Sequence, residues 1–143
     1  MIPIAGLTAA FIFFLASAVH TYWALRPSPK GTSTALPSLA NRAAFRPSRK
    51  LTLLVAFGLS VCGLLLLGKL AYLGTILPSK FYNYALQLLT LILIFRVIGD
   101  FRFIGIFKKI KDTPFARMDT LVYIPLCLIL AACCFSVAVG KNP

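Results

Sequence analysis

Long stretches without charge alternate with short stretches crowded by it along this chain. Four apolar runs stand out, at about 2–25, 51–77, 81–98 and 119–139. Each is close to the roughly 20 apolar residues an α-helix needs to cross a bilayer. The pattern predicts an all-α membrane protein, a bundle of four antiparallel transmembrane helices forming a single domain over 1–143. Connections at 26–50 and 99–118 join the first pair of spans and the last pair. Ala16, Ser17 and Ala18 resemble a signal-peptide cleavage site. No basic segment precedes them and the apolar run is too long, so the first run is expected to stay as a helix.

Within the first connection, 37–45 is expected to form a short helix on the membrane, with Leu36, Leu39, Ala40 and Ala43 or Ala44 toward lipid; a plain linker is the alternative. In the second, Phe103, Ile106, Phe107 and Ile110 fall at i, i+3, i+4 and i+7 while Lys108, Lys109 and Lys111 occupy the remaining surface. That spacing predicts a basic, amphipathic interfacial helix. Thr113 and Pro114 then suit the N-cap and first position of the last helix. Small residues at Gly6/Ala10 and Ala56/Ser60 would let helices approach closely.

Composition agrees with a membrane location. Of 143 residues 59% are hydrophobic and only 13% charged, too few charges to cover a soluble domain of this size. The charges are 15 Lys and Arg against 3 acids, a net +12. Such a balance can mark a nucleic-acid binder, but here its placement is a topology signal and no nucleic-acid motif accompanies it. Arg26, Lys30, Arg42, Arg46, Arg49 and Lys50 sit in the first connection, and Arg102, Lys108, Lys109, Lys111 and Arg117 in the second. The other side has Lys80 and Lys141. The positive-inside rule then places both connections in the cytoplasm and both termini outside, in a bacterial inner membrane. Basic residues at that surface also favour anionic lipids.

The candidate chemistry gathers at the same boundary. His20 lies about one turn inside the end of the first run, with Tyr22 and Trp23 forming an interfacial aromatic belt. Arg96 and Asp100 stand at i and i+4 and are expected to pair on one helix face. Arg102 follows, and Asp119 and Tyr123 open the last run one turn apart. His20, Trp23, Arg96, Asp100, Arg102, Asp119 and Tyr123 therefore make up a candidate ligand or partner site. The alternative for each is the ordinary polar rim of a membrane helix. Lys69 is expected to snorkel outward from within the second span.

Other chemistries find little support. Cys62, Cys127, Cys133 and Cys134 all lie in predicted spans and form no CxxC pair; they read as small buried hydrophobes. A single histidine is a poor basis for a metal site. No cofactor is predicted, although haem on His20, or across two copies, and a bound lipid stay open. No triad order, phosphate-binding glycine loop or metalloprotease motif is present.

Three blocks, "HTYWAL" at 20–25, "RVIGDFRFIGIFKK" at 96–109 and "FARMDTLVYIPLCL" at 115–128, resemble a bacterial family of small four-span membrane proteins catalogued as a domain of unknown function. The resemblance implies an integral membrane protein and brings no activity with it. The expectation is a non-enzymatic multi-pass protein binding an anionic lipid, a small ligand or a partner subunit. One alternative is a membrane enzyme on a lipid-soluble substrate, with His20 or Asp119 as acid–base and Tyr123 as donor. Another is an oligomeric proton-coupled transporter.

Overall fold

The computed structural model describes residues 2–25, 38–39, 42–43, 48–73 and 76–140. Four helices account for most of them: α1 (Ile2–Leu25), α2 (Arg49–Lys69), α3 (Ser79–Ile98) and α4 (Pro114–Val139). All four are long and apolar enough to cross a membrane. At 1.5 Å per residue the shortest reaches about 30 Å, the thickness of the hydrocarbon layer. The patterning therefore predicts the fold class correctly, an all-α membrane protein with four candidate spans.

The outside of the bundle shows why. Ile4, Phe11, Leu54, Phe57, Leu88 and Phe95 are all exposed, on helices whose backbone polar groups are satisfied within each helix. That combination suits lipid as the surrounding medium. Inside, α1 packs on α2, α3 on α4, and the two pairs close through α1–α4 and α2–α3 contacts. Ala9, Ala10, Phe13, Leu66, Leu86, Leu130, Cys134 and Val137 form the centre of the core. Small residues set the α1–α2 approach: the Ser17 hydroxyl donates to the Ala56 carbonyl at 2.7 Å and lies 2.8 Å from the Ser60 hydroxyl. Gly6 lies close against Leu70 and Val137, so that a Cβ there would require the Leu70 side chain to shift. Since the start of α1 meets the end of α4, the end of α1 shares one end of the bundle with the start of α4.

Several local expectations are corrected. α2 stops at Lys69 rather than continuing to 77. The amide of Ala71 donates to the Gly68 carbonyl and that of Tyr72 to the Leu67 carbonyl, a Schellman closure with Ala71 in the left-handed region at φ 63°. Lys69 thus ends the helix instead of lying deep inside a span. It is buried, and its Nζ reaches the Ser79 hydroxyl at 3.4 Å across the turn.

The helix expected over 37–45 is not seen at its described positions. Ser38–Leu39 (β1) and Arg42–Ala43 (β2) pair antiparallel, Ser38 opposite Ala43 and Leu39 opposite Arg42; the rest of that segment lies outside the described residues. A helix so short has too few hydrogen bonds to offset its nucleation cost unless it packs on something. Nor do residues 103–110 form a helix. They are irregular chain, because Gly99 and Gly105 both take φ 89° and Phe101 takes φ 60°, values that interrupt a right-handed helix. Thr113 does cap α4, its hydroxyl accepting from the Ala116 amide at 3.1 Å, with Pro114 at the first helical position.

Candidate functional site

The irregular segment after α3 is a closed loop built around two glycines. The Ile106 amide donates back to the Val97 carbonyl at 2.8 Å, drawing Gly99 and Gly105 against each other. A Cβ on Gly99 would overlap the Ile104 carbonyl, and one on Gly105 would run into Gly99 and the Ile98 carbonyl. Asp100 organises the inside of the turn. Its Oδ1 accepts the amides of Arg102 at 2.9 Å, Phe103 at 2.7 Å and Ile104 at 2.9 Å. Partial burial pushes the Asp100 carboxyl up, but these backbone donors outweigh it and hold the group below the usual carboxylate range. Asp100 is therefore a loop organiser. The expected pairing with Arg96 does not form, because α3 has already ended at Ile98 and the carboxylate turns to the backbone.

The loop delivers a donor to α4. Asp119, entirely buried, opens a π-helical turn, Asp119–Tyr123, in which the Ile124 amide bonds back to the Asp119 carbonyl. Pro125 follows directly. It has no N–H to give and its ring would crowd the Leu121 carbonyl in a regular helix, so the wider turn relieves that conflict. Three donors converge on the Asp119 carboxylate: Arg96 Nη2 at 2.7 Å to Oδ1, Lys108 Nζ at 3.0 Å to Oδ2, and the Gly105 amide at 2.9 Å to Oδ2. The buried Lys108 amine also donates to the Thr120 hydroxyl at 2.7 Å and the Gly105 carbonyl at 3.2 Å. The Thr120 hydroxyl passes its own hydrogen to the Ala116 carbonyl at 3.0 Å.

Two cations meet one carboxylate here, so the cluster carries a surplus positive charge. Lys108 is sealed in, with its side chain 4% exposed, whereas that of Arg96 is 31% exposed. The surplus therefore faces outward through Arg96. Its Nη1 is buried and makes no hydrogen bond among the described residues.

The remaining candidates lie outside this cluster. The Arg102 guanidinium lies over the Phe103 ring, 5.2 Å from its centre. Tyr123 stacks at an angle on Phe115, 6.2 Å between ring centres. His20 and Trp23, on α1, pair with each other at 5.3 Å. The His20 Nδ1 donates to the Ala16 carbonyl at 2.8 Å, which leaves Nε2 as the acceptor when the ring is neutral. Among the described residues no hydrogen bond, ion pair or ring contact joins His20 or Trp23 to Asp119. The cluster thus combines α3, the loop and α4 without α1.

Lys108 is the central residue that the sequence pattern misplaces. Helical spacing puts it on the solvated basic face, and only the two left-handed glycines turn it inward. The glycine pair in "IGDFRFIG" is the signal that points to such a loop. Among the described residues no group of three or more His, Cys, Asp or Glu is placed to hold a metal.

The chain belongs to a family described as "Protein of unknown function (DUF3995)", whose model matches residues 13–134. The match spans all three sequence blocks and every residue of the cluster. No curated protein and no solved structure matches the chain.

Proposed function

We propose that this family member is a multi-pass protein of the bacterial inner membrane that binds an anionic group at the end of the bundle bearing its long connections. The observation that carries this reading is the excess of cation over anion at Asp119. Two cations share this one carboxylate, and the network leaves a guanidinium whose Nη1 is buried and unmatched among the described residues. Arg96 is the anion-binding group, and Asp119 and Lys108 fix its position. Arg102, Lys109 and Lys111 raise the local positive potential, and His20 and Trp23 belong to the interfacial rim. The basic excess puts this end in the cytoplasm, with both termini outside.

The acid–base alternative fits less well. The Asp119 carboxylate already accepts three donors and is shut off from solvent, so it lacks the access that proton exchange with a substrate needs. The test compares the gently purified wild type with Arg96→Gln by native mass spectrometry. An anionic adduct on the wild type that is lost from Arg96→Gln is expected, with both proteins inserted in the membrane. Identical adducts on both, or none on the wild type, would overturn the proposal.

A further inference from the structure

A groove of about 470 Å³ opens between the 106–111 segment and the first turns of α4. The geometry points to its occupant as an anionic glycerophospholipid, with the phosphate between Lys111 and Arg117 and an acyl chain running over Leu121 and Ile124. This inference goes beyond the anion-binding reading above: the phosphate it places lies on Lys111 and Arg117, in a groove that neighbours Arg96 and is not lined by it.

The lining is divided by chemistry. Ile106, Leu121 and Ile124 are apolar; Lys111 and Arg117 are exposed cations; Lys108 lies at the floor. No acidic side chain lines the groove among the described residues. Asp119 stands behind Lys108 and already neutralises it in part, so an incoming phosphate meets net positive charge. A soluble anion would have no use for the apolar part. Leu121 is 75% exposed and Leu128, seven residues further along α4, is 47% exposed. They lead from the groove onto the flank of a helix that is apolar enough to span the membrane. The cations therefore sit at headgroup level and the apolar residues at acyl level, the order that a lipid anchored at the interface requires. The Lys108–Asp119 bond links this groove to Arg96, one side chain away.

The full chain, purified in detergent, is titrated in native mass spectrometry with phosphatidylglycerol, with phosphatidylcholine of matched acyl chains, and with glycerol phosphate. Wild type is expected to retain one phosphatidylglycerol roughly tenfold more tightly than phosphatidylcholine. Lys111→Gln combined with Arg117→Gln removes that preference and leaves phosphatidylcholine binding unchanged. Leu121→Asn weakens both lipids. These three residues are exposed, so the variants are expected to fold. Equal binding of the two lipids by the wild type, or a preference that survives the double substitution, overturns the lipid assignment. If glycerol phosphate competes as well as the intact lipid and does so only with Arg96 present, the lipid assignment fails while the anion site stands. If the wild type binds neither anionic species, both fall.

Discussion

Asp119 and Lys108 form a 3.0 Å ion pair with both side chains out of solvent, 0% and 4% exposed. They lie on different elements, α4 and the glycine loop, so the pair pins the loop against the helix. A buried charge whose partner is removed is expensive, whereas replacing the whole pair costs much less. Asp119→Ala is therefore expected to destabilise the protein by about 3–5 kcal/mol. Adding Lys108→Met to that variant should recover part of the loss, because it removes the stranded amine. Thermal unfolding in detergent, followed by the fluorescence of Trp23, measures the cycle. Losses that simply add would show that the pair is not coupled.

Asp100 gives the loop a pH dependence. Its folded pKa lies below the ordinary value of about 3.9, so its ionised form favours the ordered loop at every pH above about 3.9. That contribution declines only as the pH falls through the folded value, lower still. Amide exchange at Arg102, Phe103 and Ile104, corrected for intrinsic rates, should show constant protection from pH 7 to about 5 and a loss below about 4. Asp100→Ala should have weak protection throughout. A loss of wild-type protection already between pH 7 and 5 would contradict this assignment.

Left-handed backbone separates two kinds of substitution. Ala71 holds φ 63° at the end of α2, where glycine is the favoured residue. Ala71→Gly should stabilise the protein by about 1 kcal/mol, the relief of left-handed strain less the added flexibility of the unfolded chain. Gly99→Ala and Gly105→Ala meet both the same strain and a backbone overlap, so each should cost about 1–3 kcal/mol or more. They should also weaken anionic lipid binding, since the loop can no longer present Gly105 and Lys108 to Asp119. Denaturation midpoints of the three variants, read beside lipid titrations, check both effects. A stable Gly99→Ala protein with normal binding would show that the loop is not built as described.

The sequence by itself determined the medium and the fold class. Apolar runs near bilayer length leave a helix as the economical way to satisfy the backbone in lipid, and that constraint is local to each run. Thr113 and Pro114 were legible for the same reason, since capping is decided within one turn. Composition also marked the end of the bundle where polar chemistry gathers. The tertiary structure decided which charges meet. Arg96 and Asp100 stand at helical spacing, but the helix ends between them, so Asp100 caps a loop and Arg96 reaches Asp119 on another element. Lys108 occupied the polar face of a helix that two left-handed glycines prevent, and burial beside Asp119 followed from the loop's closure. Periodicity records only which side of a regular element a residue occupies. It cannot record where a chain that leaves regular structure will turn, and in this protein the charge pairing depends on that turn.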